Sequence, residues 1–439
     1  MDARPREGPS PEMRILHLTA GTGSFFCGTC LRDNALVRGL QRLGHEAVLQ
    51  PLYLPILAEG VEPSPEVPLR MGGVGVYLDH AVPLYRALPQ WVRRAADHPA
   101  VLRAAARRAS STRPEQTAAP TLEMLRGIDG TTRRSIDDLV GHLAQEPRPD
   151  LIVLSNGLLA GLAPRLREAL GAPVVATLQG ETHYLMSMGE VWRPKLQASF
   201  GEALARVDGL LAVSACARTL TETFVQRTLP HAPVVQNGVD VASFDLATPG
   251  QRAVPQLLHI ARMTPAKGQR EVLELVARLH STGQPVTAVL GGTVQPGDMP
   301  FVESLRAHAA SLGIQPHVQF HPNLTPEHKR ALFADADLFV APTQKAETGG
   351  LYVFEALAAG LPVVALNRGV FAEVSHLQGL TVSASEDFDT TVVERLASPT
   401  SLQEAGRDAR HAAEQHLDEQ HMARRFWDAI GPEGLRLRP

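Results

Sequence analysis

The apolar positions of this chain fall into short continuous runs, and the runs recur. "MRILHL" (13–18), "EAVLQPL" (46–52), "DLIVLS" (150–155), "PVVATL" (173–178), "GLLAVS" (209–214) and "APVVQN" (232–237) are too short for helices and rich in β-branched residues, which predicts strands. Between several of them the spacing turns helical; "LRDNALVRGLQRLG" ends on Gly44, a good helix C-cap. The rhythm then restarts with "QLLHIA" (256–261), "VTAVLGG" (286–292), "HVQFHP" (317–322), "DLFVAP" (337–342), "LPVVAL" (361–366) and "GLTVS" (379–383). Strands that are apolar throughout belong to parallel sheets covered on both faces. Two such series predict an α/β chain of two doubly wound domains. A ligand is expected in the cleft between them, at the carboxyl ends of the strands.

The length of 439 residues agrees with two domains. The polar stretch 239–255 contains Pro and Gly and sets the boundary. The expected organisation is a disordered lead (1–12), a first domain (13–238) and a second domain (239–415). A C-terminal helix (416–439) is expected to pack back on the first domain through Phe426 and Trp427. One segment, 83–138, shows no strand and reads as inserted helices on the first domain. Its stretch 83–113 carries seven arginines against one acid, Asp97. That stretch reads either as a solvated basic face or as a surface for an anionic acceptor or an anionic lipid face.

Composition narrows the classes further. A hydrophobic content of 44% with 20% charged residues is that of a soluble globular chain with a sizeable core. A net charge of -4 gives no global basic field for nucleic acid. No apolar run approaches the roughly 18 residues of a membrane-spanning helix, and the polar N-terminus lacks a secretory h-region. Cys27, Cys30 and Cys216 make no disulfide framework, so a reducing cytoplasm is the simplest compartment.

Two stretches carry candidate chemistry. In "AETGGLYVFEALAAGLPVVAL" a strand, a loop and a helix follow one another, and Glu347 and Glu355 flank Gly349 and Gly350. The helix is expected from about Gly350 to Ala359. Its first amides have no intrahelical partner, so its dipole favours an anion there. Glu355 can accept from a vicinal diol such as a ribose, and Glu347 points beyond the phosphate. On spacing alone, a loop acid and a solvated helix acid remain the alternative. In "LLHIARMTPAKGQREVLEL", Arg262 leaves a strand and Lys267 opens the next helix. A guanidinium fork beside an ammonium suits a diphosphate, at roughly 1.5–3 kcal/mol per charge-assisted contact. Two surface charges are the plain alternative.

Arg262-x4-Lys267-Gly268 followed by Glu347-x7-Glu355 resembles the retaining, nucleotide-sugar-dependent glycosyltransferases of family four. Their architecture is two facing Rossmann-like domains, called GT-B. "GTGSFFCGTCLRDNALVRGLQRLGHEAVLQPLYLP", "VVQNGVDVASF" and "EALAAGLPVVA" extend the resemblance over the chain apart from the 83–138 insert. The resemblance implies transfer of a hexose from a nucleoside diphosphate sugar, most often uridine-linked, to an acceptor that the sequence does not name. It implies that Arg262 and Lys267 bind the diphosphate with backbone amides near Gly350 and Leu351. Glu355 would hold the ribose and Glu347 the hydroxyls of the transferred sugar. The Gly21–Gly23 loop would face the sugar, and the base would lie near 292–293 and 320–323. Retention in such enzymes is attributed to front-face attack helped by the leaving phosphate. No Asp-x-Asp metal motif lies in either stretch that carries the candidate chemistry, and the cationic clamp can replace a metal; no cofactor is implied beyond the sugar nucleotide as co-substrate. Many relatives carry a histidine directly after the fourth strand, where this chain has Gln179. His183, four residues on, is the catalytic candidate, with a structural histidine as the alternative. Gly349 stands where relatives often have an aromatic residue.

Other signals are weaker. The cysteines of "CGTC" (27–30) read as small buried thiols near the cleft rather than a redox or metal pair. His17 reads as a core histidine. "GTGSFF" lacks the third glycine of a dinucleotide loop, which argues against a dehydrogenase. Two rival functions stay open: a sugar-nucleotide epimerase or hydrolase on the same scaffold, and a non-catalytic sugar-nucleotide sensor or scaffold.

Overall fold

The computed structural model describes residues 12–21, 28–52, 114–229 and 231–430. The first sheet contains β1 (Arg14–Thr19), β2 (Glu46–Pro51), β3 (Leu151–Leu154), β4 (Val174–Leu178) and β5 (Gly209–Ala212), in the order β2-β1-β3-β4-β5. The second contains β6 (Gln256–Ile260), β7 (Thr287–Gly292), β8 (Val318–Pro322), β9 (Leu338–Ala341), β10 (Val363–Leu366) and β11 (Leu380–Ser383), in the order β11-β10-β9-β6-β7-β8. Every strand pair in both sheets is parallel. Strands β3, β4, β5, β6, β9 and β10 are buried at every position, because helices cover both faces. The chain is therefore two Rossmann-like α/β units.

One expected strand is absent. Residues 232–237 meet β5 only through the isolated bridge between Ala212 and Val234. Pro233, which has no amide, lies inside this run and cannot donate to a ladder. The 83–138 segment also differs from a simple insert. The helices Pro114–Arg126 and Arg133–Leu143 place Ala118, Leu122, Leu125, Ile136 and Leu139 in the core of the first unit. The basic stretch 83–113 and the lead before residue 12 lie outside the described residues.

The chain crosses between the units twice, and the crossings are bonded together. The Val239 amide donates to Leu417 O at 2.8 Å, and the Glu419 amide donates to Val239 O at 3.0 Å. The expected C-terminal helix runs over Glu419–Ile430, and this pairing separates it from the preceding helix Pro399–His416. Helix Glu419–Ile430 lies on the helix Gly28–Arg42. Met422, Ala423, Phe426 and Ile430 join Ile15, Leu36 and Leu40 in one apolar cluster, and the Trp427 ring stacks on His45 at 4.2 Å. Burying a side chain the size of Phe426 stabilises by about 1.5–3 kcal/mol. Glu419 is buried in the same interface, where it accepts from Arg38 at 2.6 Å and forms an ion pair with Arg42 at 2.6 Å. Among the described residues no helix is long and apolar enough to cross a membrane.

Candidate active site

β6 and β9 are neighbours in the second sheet, and the strand order reverses there. Loops leaving two such strands part at the carboxyl edge and open a crevice. The loop after β6 carries Arg262 and Lys267; the loop after β9 carries Glu347 and Gly350. The two loops touch through their backbones. Gly268 has φ +90°, and a Cβ there would sit 2.1 Å from Pro342 O, so a side chain is excluded by both conformation and space.

The crevice holds a cavity of about 330 Å³. Arg262, Lys267, Lys329, Glu347, Gly350, Leu351 and Glu355 line it from the second unit, and Gly28, Thr29, Leu31 and Gln179 face them from the first. Gly292, Thr293, Leu324 and Thr325 close the end toward β7 and β8. The structure thus brings together Arg262, Lys267, Glu347, Gly350, Leu351, Glu355 and Gln179. Helix Leu351–Ala358 opens on Gly350, whose φ is +70°, and its first turn borders the cavity.

Each charged group in the cavity already has a partner. The Lys267 ammonium pairs with Glu347 and lies 4.8 Å from the Tyr352 ring centroid. Lys329 Nζ donates to Glu355 Oε1 at 2.9 Å. Arg262 Nη2 donates to Gln295 Oε1 and Asp298 Oδ2, each at 3.0 Å, at the cavity rim. Burial alone would push the Glu347 carboxyl up, but Lys267 and the Gly349 and Gly350 amides outweigh it and hold the carboxyl below its usual range. Burial, reinforced by the Glu347 charge, pushes the Tyr352 phenol well up, so it stays protonated. Behind them His259, at the end of β6, is fully buried and bonded through Nδ1 to Val340 O at 2.8 Å. Burial and the nearby Lys267 lower its pKa to about 4 against the Val340 bond, so the ring is neutral at pH 7.

The first-unit wall is fixed by buried polar groups. Gln179 Nε2 donates to Ser155 O at 2.5 Å and lies 3.4 Å from Asp33 Oδ1. Asp33 is fully buried with Arg32 and with His17, whose Nε2 is 3.2 Å away. Burial would raise the Asp33 carboxyl, but His17, Arg32 and Ser155 together bring it below its usual range. Glu181 accepts the amides of Gly157, Gln179 and Gly180 at 2.6, 2.8 and 2.9 Å. Burial nevertheless leaves its carboxyl raised.

His183 is not brought into the cavity. Its Nε2 lies 3.1 Å from Ala346 O, so the ring bridges the two units one residue before Glu347. Two other bridges flank it: Thr348 Oγ1 donates to Gln179 O at 3.0 Å, and Asn237 Nδ2 donates to Gly349 O at 2.9 Å. Gly21 follows β1 with φ +77°, whereas Gly23 and Cys27 lie outside the described residues. Cys30 is buried, and burial together with Glu373 and Glu347 raises the Cys216 thiol, which disfavours a thiolate. Lys329 and Asp298 were not singled out from sequence. The available signal for Lys329 was "TPEHK", a helix start directly after β8, which puts its first turn at the carboxyl edge.

Two facing Rossmann-like units with a cationic, carboxylate-lined crevice between them define the GT-B frame of the glycosyltransferases. Residues 249–410 match the model of the glycosyl transferases group 1. Among curated proteins, a glycogen synthase of Mycobacterium tuberculosis is 26% identical over 285 residues, covering 63% of this chain and 67% of that one. The GDP-mannose:cellobiosyl-diphosphopolyprenol alpha-mannosyltransferase of Xanthomonas oryzae pv. oryzae is 28% identical over 288 residues, covering 60% of this chain and 69% of that one. The matches thus span about two thirds of these relatives. Among solved structures, Anabaena HepE in complex with UDP and glucose has a TM-score of 0.64 over 95% of this chain and 99% of that one. At 16% identity this likeness carries the fold alone. The resemblance to glycosyltransferases carried by Arg262, Lys267, Glu347 and Glu355 is thus borne out by the match over residues 249–410.

Proposed function

We propose that this chain transfers a hexose from a nucleoside diphosphate sugar, with UDP the expected nucleotide, to an acceptor with retention at the anomeric carbon. The observation that carries the reading is the meeting of Arg262, Lys267, Glu347 and Glu355 with the opening turn of helix Leu351–Ala358 in one cavity. A diphosphate entering there exchanges partners: it takes Lys267 from Glu347 and Arg262 from Asp298. The freed Glu347 carboxylate then accepts from hydroxyls of the transferred sugar. Glu355 accepts from the ribose, and Leu324 and Thr325 border the space for the base. As the sugar–phosphate bond breaks, charge grows on the leaving phosphate, and the two cations with the helix dipole stabilise it more than they stabilise the ground state. The acceptor enters from the first-unit side past Gln179, on the face the phosphate leaves. A reducing cytoplasm belongs to the same reading, as does a reaction without a metal.

UDP is preferred from the motif. The GDP-mannose named for the Xanthomonas relative makes GDP the arm to test against it. The experiment is a thermal-shift and turnover series with UDP- and GDP-linked hexoses, since a ligand that binds only the folded state raises its stability by mass action. Glu347→Ala should lose roughly 100-fold or more in turnover while UDP affinity changes little, and Lys267→Ala should weaken UDP binding roughly tenfold or more. Absence of a shift with any sugar nucleotide, or unchanged transfer by Lys267→Ala, would refute the reading. Released nucleotide without a glycosylated acceptor would point to a hydrolase.

A further inference from the structure

Lys329 sits in the first turns of helix Pro326–Ala334, and its ammonium turns into the cavity rather than out to solvent. Its side chain is 12% exposed and that of Glu355 is 13% exposed, with 2.9 Å between Nζ and Oε1. A lysine on a surface helix ordinarily carries its charge into water. Withdrawing an ammonium and a carboxylate together is costly, and the pair returns little net stability relative to apolar groups of similar size. The placement therefore calls for a ligand as its explanation. Lys329 also stands apart from the diphosphate cations: Lys267 faces Glu347, whereas Lys329 faces Glu355 on the side of Leu324, Thr325 and Pro326.

We propose that Lys329 and Glu355 together read one ribose hydroxyl as both donor and acceptor, which makes Lys329 a specificity residue for ribonucleotides. The proposal rests on the reading of Glu355 as the ribose carboxylate. A carboxylate can only accept, an ammonium can only donate, and a hydroxyl does both. Set side by side, Glu355 takes the hydroxyl hydrogen while Lys329 donates to the same oxygen. A carbon-bound hydrogen in that place satisfies neither group and leaves two mostly buried charges without the ligand partner. Such a site rejects the deoxy analogue more strongly than a lone carboxylate does.

The test compares binding of UDP, 2′-deoxy-UDP and 3′-deoxy-UDP by calorimetry, with the GDP series in parallel, to the wild-type chain and to Lys329→Met, Lys329→Arg and Glu355→Gln. Wild-type should disfavour one of the two deoxy analogues by roughly tenfold or more. Lys329→Met should lower that ratio severalfold, and Lys329→Arg should restore most of it. The ratio is insensitive to a general loosening of the fold, which shifts both ligands alike. If Lys329→Met weakens UDP and the deoxy analogue equally, Lys329 only steadies Glu355 and the proposal fails. If wild-type binds UDP or GDP but ignores the loss of either hydroxyl, this proposal fails while the donor reading stands. If no nucleotide binds, both fall together.

Discussion

The Glu373 carboxylate, carried by the second unit, accepts the Cys216 amide at 2.7 Å and the Ala215 amide at 2.8 Å, at the start of helix Ala215–Val225 of the first. A helix opening is thus capped from across the cleft, in addition to the cap from its own Ser214. The contact forms only while the units stand in this relation, so it adds stability to this arrangement of the units. Glu373→Ala should remove about 1 kcal/mol of that preference. The expected outcome is a larger radius of gyration for the nucleotide-free protein in solution scattering and a KM for donor raised about fivefold. An unchanged scattering profile would show that the arrangement does not depend on this cap.

Arg262 and Asp298 pose a competition. The guanidinium expected to clamp a diphosphate is bonded to Asp298 and Gln295 at 3.0 Å, and 48% of the Arg262 side chain is exposed. A partly exposed pair of this kind is worth about 0–1 kcal/mol. Asp298→Ala should therefore tighten UDP binding by about two- to fivefold, with a steeper dependence on salt because a freer charge meets the phosphate. Weaker binding by the variant in calorimetry would mean that Asp298 orients Arg262 for the ligand rather than withholding it.

His259 sets a pH dependence with a definite sign. Its pKa in the folded chain is about 4, against 6.5 as the ordinary value, and burial is the main cause. The unfolded chain therefore binds the extra proton over the window between these values, and folding stability falls as pH drops from 6.5 toward 4. The loss attributable to this group is bounded at about 3 kcal/mol. His259→Asn keeps an N–H for Val340 O but cannot titrate. Its urea midpoint should fall less than that of wild-type between pH 6.5 and 4, and parallel curves for the two proteins would remove His259 as the cause.

Much of this site is legible in the sequence because its geometry follows from local rules. Arg262 directly follows an apolar run, and Glu347 and Gly350 sit between such a run and a helix, so each is placed at a carboxyl edge without knowledge of the fold. Which edges adjoin is a different question. Strand order decides it, and strand order is a matter of long-range packing. Asp298 and Lys329 follow β7 and β8, and only the sequence β9-β6-β7-β8 brings their loops to the same crevice as β6. The pairing of each cavity carboxylate with a lysine was equally hidden, since it depends on side chains 80 and 26 residues apart. Residues 232–237 were misread for a local reason: an apolar run with β-branched residues looks like a strand, yet it makes only one bridge. The break before the C-terminal helix has a distant cause, because Val239 bonds to Leu417 and Glu419.

The return of helix Glu419–Ile430 to the first unit has a bearing on biosynthesis. Phe426 and Met422 fill a face whose other side is built from Ile15, Leu36 and Leu40. Ribosomes deliver a chain from its N-terminus, so the half translated earlier keeps an unsealed apolar surface until about residue 430 has emerged. The nascent protein must guard that surface while the entire second unit is translated, and the half made later has the opportunity to fold first.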